Sequence, residues 1–398
     1  MSHAYPIVDI DPALSVGRSL RGGHPWLFSR AILGKGPHLP VGAIVDVHEA
    51  GRFVARGYYD PHSHIRVRVL TRDPFEKVDA NFWRRRISRA WLLREEVIVA
   101  SGDADSYRVV HGENDGLPGL VVDRYAGFLV TKLYSAGLVA HRDEILAALR
   151  AEVPGIRGIF GREGMEDDGA SGGAVHFGEA PPERIEIREH GARFLVDVRG
   201  GQKTGFFLDQ RENRFALRRY AKGREALNCF GYTGGFSVHL ALGGARRVST
   251  IDQDRDAIAV AEENFRLNGL DPDAQDFRAE DVFDALAAAK RMGQSWDLIV
   301  LDPPAFAKSQ KTVDAAIDGY ASLNRAALAV LRPGGILVTC SCSARVSAEA
   351  FAGAVAQAAD KARVELQLLE QRYQAPDHPI SPSFPEGRYL KVYIFRRV

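Results

Sequence analysis

A chain of 398 residues is long enough for two or three domains with substantial cores. Hydrophobic residues make up 45% of it and charged residues 26%, an ordinary globular balance that excludes wholesale disorder. The 52 Lys and Arg nearly cancel 51 Asp and Glu, so the net charge of +1 excludes a polycation, and a nucleic-acid partner would need a local basic patch. The three cysteines, Cys229, Cys340 and Cys342, cannot build a disulfide framework and suit a reducing compartment. The opening residues lack the basic and apolar regions of a signal peptide. No apolar run approaches the ~18–20 residues of a bilayer span, and a cytoplasmic protein without a membrane partner is expected.

Residues 1–74 read as a small β domain. Val41–His48 and Arg52–Tyr59 alternate apolar and polar residues around Glu49-Ala50-Gly51, as a hairpin does, and Ile65–Leu70 alternates again before Asp73-Pro74. From Phe75 to Ala100 the period becomes helical, with Phe82, Ile87, Trp91, Leu92 and Val97 recurring at threes and fours. A mixed segment, residues 75–190, follows as a central α+β domain. In it Val121–Asp123, Gly127–Leu133 and Gly155–Arg162 read as strands, His141–Leu149 as a helix, and the Gly-, Asp- and Ser-rich Glu163–Gly178 as a flexible loop.

Residues 191–398 alternate strands and helices. Glu225–Cys229, Arg247–Ile251, Trp296–Leu301 and Gly335–Ser341 are compact apolar runs suited to buried parallel strands. Phe236–Leu242, Arg255–Asn268, Val282–Arg291 and Asp314–Leu331 read as the helices between them, the pattern of a doubly wound α/β sheet. Glu365–Gln371 and Tyr389–Arg396 have no helical pattern between them and suit an antiparallel edge.

Three motifs fall at the carboxyl ends of those strands, where open α/β sheets bind ligands. Asn228-Cys229-Phe230-Gly231-Tyr232-Thr233-Gly234-Gly235 joins a strand to a helix, and its glycines let the backbone approach a ligand at the helix N-terminus. The next strand ends at Asp252, 21 residues after Gly231, where a carboxylate accepts hydrogen bonds from ribose hydroxyls. The G-x-x-G-G spacing is not that of the dinucleotide binders. Asp302-Pro303-Pro304-Ala305-Phe306 closes the third strand, its two prolines stiffening the edge of the crevice. In this order the motifs point to an S-adenosylmethionine-dependent methyltransferase, with Phe230, Gly231, Tyr232, Thr233 and Asp252 as cofactor-binding candidates.

Thr339-Cys340-Ser341-Cys342-Ser343 closes the fourth strand and brings two cysteines to the crevice, whereas Cys229 reads as core. Carbon-5 of cytosine is a poor nucleophile until something adds to carbon-6, and a thiolate suits that addition. C-x-C without a matching His/Cys pair does not meet zinc-ligand spacing, so no metal is expected. A basic excess between Pro61 and Arg94 (Arg66, Arg68, Arg72, Lys77, Arg84, Arg85, Arg86, Arg89 and Arg94 against Asp73, Glu76 and Asp79) reads as a phosphate-facing surface, with Arg84, Arg85 and Arg86 as RNA-binding candidates. A second basic stretch runs from Arg211 to Arg224.

Together these residues resemble the RlmI-like family of ribosomal RNA large-subunit methyltransferases, which form 5-methylcytosine in 23S rRNA. His24-Pro25-Trp26 and Gly42–Leu70 are similar to the family's N-terminal PUA domain, an RNA-binding β-barrel. The run from His111 to Tyr125 is similar to the opening of its central domain. Gly201-Gln202-Lys203-Thr204-Gly205-Phe206-Phe207-Leu208-Asp209-Gln210-Arg211 resembles its lead-in to the catalytic domain, and Phe384-Pro385-Glu386-Gly387 its C-terminal strand pair. The resemblance implies an α/β fold: a C-terminal Rossmann-like methyltransferase domain with a reversed last strand, behind an N-terminal PUA-like β-barrel and a small central α+β domain. It also implies S-adenosylmethionine as donor, 23S rRNA or a large-subunit assembly intermediate as partner, and often a homodimer. By analogy Asp252 takes the ribose, Asp281 the adenine amino group, and Gln210, Phe230, Gly231 and Asp302 complete the surroundings.

The expected mechanism has a thiolate adding to C6 of a flipped-out cytosine while Asp302 hydrogen-bonds its N3/N4 edge. The family's members carry a single cysteine at the position of Cys342, while another branch of RNA cytosine-C5 methyltransferases uses a Thr-Cys-Ser sequence, which points to Cys340. Strand geometry favours Cys342, which lies past the strand end, about 6–7 Å beyond Cys340 and nearer to Arg345 and the next helix. The alternatives are a purine N-methyltransferase acting on rRNA, which needs no nucleophilic cysteine, and a non-catalytic RNA-binding scaffold.

Overall fold

A computed structural model describes residues 5–34, 36–162, 172–306 and 312–398. The chain divides into two compact units: one of Met1–Ile187, Val196–Leu208 and Pro376–Gly387, the other of Arg188–Leu195, Asp209–Ala375 and Arg388–Val398.

The first unit opens with β1 (Ile7–Ile10), α1 (Val16–Arg21), β2 (Trp26–Phe28), β3 (Ile44–Glu49), β4 (Arg52–Tyr59) and β5 (Ile65–Thr71). The five strands form one sheet in the order β1-β3-β4-β5-β2. The expected β3–β4 hairpin turns through Ala50 and Gly51, both at positive φ (49° and 74°), the mirror-image turn that matches the twist of paired strands. Alternate apolar side chains (Val45 and Val47, Val67 and Val69) are buried against Val8, Ile10 and Leu27.

Next comes α2 (Ala80–Val97), capped by the Asp79 carboxylate, which accepts the Phe82 N–H at 3.0 Å. One face buries Phe82, Trp83, Ile87, Ala90 and Trp91. Against it lies a second five-stranded sheet, in the order β10-β9-β8-β7-β6, made of β6 (Ser106–His111), β7 (Leu120–Tyr125), β8 (Phe128–Leu133), β9 (Gly158–Arg162) and β10 (Gly173–Gly178). Helices α3 (Ala136–Val139) and α4 (Arg142–Glu152) connect β8 to β9. The expected loop Glu163–Gly178 is in part a strand: Gly173–Gly178 pairs antiparallel with β9, because Ala174, Val175 and Phe177 can extend an edge despite the glycines. Residues 163–171 lie outside the described residues.

The chain continues through β11 (Ile185–Glu189) and β12 (Ala192–Val196), a two-stranded pair, then α5 (Arg211–Ala216) and α6 (Arg218–Ala221). The alternation then runs β13 (Glu225–Cys229), α7 (Gly235–Leu242), β14 (Arg247–Asp252), α8 (Arg255–Leu267), β15 (Asp276–Ala279), α9 (Val282–Arg291), β16 (Trp296–Leu301), α10 (Val313–Leu328), β17 (Leu331–Ser341), α11 (Ala348–Ala362), β18 (Leu366–Arg372) and β19 (Lys391–Arg397). Seven strands form one sheet, ordered β15-β14-β13-β16-β17-β19-β18. The first five are parallel, and β19 runs antiparallel between β17 and β18, which is the reversed last strand implied by the resemblance.

Central strands bury apolar side chains on both faces: Leu227, Cys229, Ile299, Leu301 and Leu337 on one and Ala226, Leu298, Val300 and Val338 on the other are 0% exposed. Burial pushes the Cys229 thiol far up, so this cysteine is an inert core residue. The second basic stretch is partly internal, with Arg211 and Arg214 buried and Arg219 and Lys222 exposed. Arg214 grips the Glu189 carboxylate with two bonds of 2.6 Å, His239 of α7 shares that carboxylate at 3.0 Å, and Arg218 donates to His239 Nδ1. Among the described residues no helix is long and apolar enough to cross a membrane.

Candidate active site

The order of the parallel strands reverses at β13, which pairs with β14 on one side and β16 on the other, so a crevice opens beyond its carboxyl end. The loop from Phe230 to Gly234 fills its floor. Phe230 and Tyr232 both hold left-handed backbone conformations (φ 60° and 45°), which non-glycine residues adopt only where the surroundings impose them. Between them Gly231 passes so close to β14 that a Cβ would lie 2.5 Å from Thr250 Cγ2.

Asp252 imposes much of this shape. One carboxylate oxygen accepts the Tyr232 N–H at 2.8 Å and the other the Asp254 N–H at 3.0 Å, which ties the loop to the end of β14. Asp254 then caps α8 through the N–H groups of Asp256 and Ala257. Thr233 is buried, and its carbonyl accepts from Asn264 Nδ2 at 2.8 Å. Asp281 is exposed at the start of α9, where its Oδ1 accepts the Phe283 and Asp284 N–H groups. Backbone at close approach, a helix N-terminus and a strand-end carboxylate fit an adenosyl ligand.

On the other side of β13, Asp302 follows β16 at the rim. Gln210 donates to its Oδ2 at 3.0 Å, and Asn213 Nδ2 in turn donates to Gln210 Oε1 at 2.7 Å. Asn213 is itself fixed by the Tyr373 carbonyl and by Arg372 Nε, both at 3.0 Å. This chain sets which end of the Gln210 amide meets Asp302. Gln210 stands out in the sequence only through its motif. Asn213, three residues on and so on the same helical side, was legible by that spacing alone.

Cys340 lies inside β17 and is 0% exposed. Burial first, and the Asp302 charge second, push its thiol well above the usual range, and it hydrogen-bonds Asp302 and Gln210 as a thiol. Cys342, two residues on, is past the strand end and half-buried, with Sγ 3.9 Å from the Pro303 carbonyl. The structure thus brings Gln210, Asp302, Cys340 and Cys342 together on one rim and Phe230, Gly231, Tyr232, Thr233 and Asp252 on the neighbouring floor. Lys391 of β19 also stands behind this rim, and sequence reading passes over it because a strand lysine ordinarily faces water.

The α2 arginines belong to the first unit. Arg84 and Arg85 are exposed and paired with Glu152 (2.7 Å) and Glu76 (3.2 Å). Arg86 is half-buried, donating to Glu76 at 3.0 Å and to the Leu70 carbonyl at 3.2 Å. Two members of the basic run are not on the surface at all. Arg94 is 0% exposed and bonds both oxygens of Asp115 at 2.7 Å, and Arg68 is buried against Ser135. Among the described residues no group of three or more His, Cys, Asp or Glu is placed to hold a metal.

Two family models match the chain: a PUA-like domain over residues 15–72, and an S-adenosylmethionine-dependent methyltransferase over residues 168–396. A relative from Cronobacter sakazakii, named ribosomal RNA large subunit methyltransferase I, is 42% identical over 384 residues, covering 94% of this chain and 96% of that protein. One of the same name from Citrobacter koseri is 40% identical over 387 residues, covering 95% and 96%. A solved structure from Streptococcus mutans, assigned as an S-adenosylmethionine-dependent methyltransferase, shares the fold, with a TM-score of 0.86 at 24% identity over 98% of this chain and 100% of that one. The chain is an S-adenosylmethionine-dependent methyltransferase and belongs to the ribosomal RNA large subunit methyltransferase I family.

Proposed function

We propose that the protein forms 5-methylcytosine in 23S rRNA, free or within an assembling large subunit, and that Cys342 is the nucleophile. The observation that carries this reading is the contrast between two thiols on one rim: Cys340 is sealed and held as a neutral thiol, while Cys342 is half-buried at the mouth of the crevice. The names of the relatives support an RNA substrate from the large ribosomal subunit.

The Phe230–Thr233 loop, Asp252 and Asp281 would hold S-adenosylmethionine, which would supply an electrophilic methyl group. The Cys342 sulfur adds to C6 of the cytosine while the thiol proton passes, by way of the Asp302 carboxylate, to N3, and this addition places electron density on C5. Asp302, oriented by Gln210, accepts hydrogen bonds from the N3/N4 edge and stabilises the positive charge of the protonated base. After methylation, loss of the C5 proton restores the ring double bond and expels the Cys342 sulfur.

RNA carrying 5-fluorocytosine tests the chemistry, because fluorine cannot leave as a proton does. Wild type and Cys340→Ala should trap a covalent, methylated adduct, and Cys342→Ala should not. Loss of the adduct only in Cys340→Ala would move the nucleophile. No adduct in any form, with a methylated purine in the nucleoside digest, would overturn the cytosine mechanism.

A further inference from the structure

Lys391 stands opposite Ser341 in the β17–β19 ladder and is only 2% exposed. Lysine is almost never buried unless something holds its charge. Here the ammonium donates to the Ser343 carbonyl at 2.6 Å and to the Val346 carbonyl at 2.9 Å. Both belong to the turn that begins with Cys342 and ends at Ser347, the cap of α11. The Ser343 carbonyl also accepts the Val346 N–H, so one cation clamps a tight turn whose first residue is the half-buried Cys342. Neutral carbonyls orient the ammonium without cancelling its charge.

We propose that Lys391 is a positioning residue for Cys342: it fixes the turn that presents the thiol and sets a buried positive charge behind it that favours the thiolate. The role rests on Cys342 being the nucleophile, as argued above.

The other groups around the thiol cannot supply this charge. From α10, Tyr320 donates to or accepts from Ser343 Oγ at 2.9 Å, and its buried hydroxyl stays neutral. Cys340 of β17 is neutral, and Asp302 beside it is negative, which opposes a thiolate. Arg345 in the same turn and Glu349 in α11 are exposed. Water reduces the reach of an exposed charge about fourfold relative to one near the interior, so Arg345 counts for less than Lys391. Burial pushes the Lys391 ammonium down to about 8 while the Cys342 sulfur pulls it back up, which leaves it protonated at neutral pH.

The experiment is the pH profile of Cys342 alkylation by iodoacetamide in the full-length protein, read on the Cys342 peptide by mass spectrometry. Wild type should reach half its limiting rate below pH ~8.5, the value of an unperturbed thiol. Lys391→Met should move that midpoint up by about one unit, a tenfold slower reaction at pH 7, and Lys391→Arg should restore most of it. A merely structural lysine would change the melting temperature of Lys391→Met and leave the midpoint where it was, and that result overturns the proposal. Should Lys391→Met fail to fold, a wild-type midpoint at or above ~8.5 overturns it equally. The 5-fluorocytosine adduct separates the two ideas. An adduct that survives Cys342→Ala removes the nucleophile, whereas an adduct that needs Cys342 beside an unmoved midpoint removes only the role of Lys391.

Discussion

Asp252 does two jobs with one carboxylate. Its oxygens hold the Tyr232 and Asp254 N–H groups, and they stand where ribose hydroxyls of an adenosyl ligand are expected. Replacing it with Ala therefore removes a charged acceptor and also releases Tyr232 from a left-handed conformation that costs about 1–3 kcal/mol to hold. Asp252→Ala should weaken S-adenosylmethionine binding, measured by calorimetry, by about 1–3 kcal/mol, and Asp252→Asn, which keeps one acceptor, by less. Unchanged affinity in a folded Asp252→Ala protein would show that the ligand lies elsewhere.

At the scale of elements, α7 carries the clearest pH dependence. His239 is buried between the Glu189 carboxylate and Arg218, and burial, the largest cause, pushes its imidazole down to about 4. The unfolded chain takes up that proton near the ordinary 6.5. Between these values the unfolded state binds more protons, so stability falls as pH drops through that window and is flat for this group above it. Glu189, held down to about 2 by Arg214 and His239 against the opposing effect of its own burial, extends the loss to lower pH. His239→Gln should remove roughly 3 kcal/mol of the decline between pH 6.5 and 4, read by urea unfolding at each pH. A variant whose stability tracks that of wild type in parallel would place the acid sensitivity elsewhere.

Elements also show what was legible in the sequence. Strands β13, β14 and β16 are compact, mostly apolar runs ended by Phe230, Asp252 and Asp302, and both their type and their ends could be read because a buried parallel strand keeps few polar positions and stops at its loop motif. Strand β15 could not: Asp276, Phe277, Arg278 and Ala279 sit at the sheet edge, half in water, and carry no run. Helix α10 stops at Leu328 rather than Leu331 because Leu331 already pairs with Trp296 in the sheet, a contact invisible to local periodicity. Likewise the pairing of β19 with both β17 and β18 brings Lys391 to the rim. No spacing rule links residue 391 to residue 342.

For the whole molecule, near neutrality conceals where the charge is free to act. Of the basic run around α2, Arg94 and Arg68 are internal, and Arg86 braces Glu76 and the Leu70 carbonyl. Arg84 and Arg85 have side chains 58% and 57% exposed, and we propose that they meet phosphates. The double variant Arg84→Ala/Arg85→Ala should lower the slope of log affinity against log salt for a 23S rRNA fragment by about one to two, since each phosphate contact contributes roughly 0.7–0.9. Binding of S-adenosylmethionine should not change. An identical salt slope would assign this patch to another role. Arg86→Ala should instead lower the melting temperature, since it removes a half-buried brace.

The division of the chain has a genetic consequence. Each unit is assembled from three separate stretches, and Pro376–Gly387 returns to the first unit after the whole run from Asp209 to Ala375 has been spent on the second. There the Asp377 carbonyl accepts from the buried Arg94 at 2.8 Å and its carboxylate from the Arg108 N–H at 2.8 Å, while Asn114 Oδ1 receives the Ser381 N–H at 2.9 Å. A fragment ending at Ile187 would leave Arg94, Arg108 and Asn114 facing missing partners. Recombination by one crossover therefore cannot transfer either unit intact.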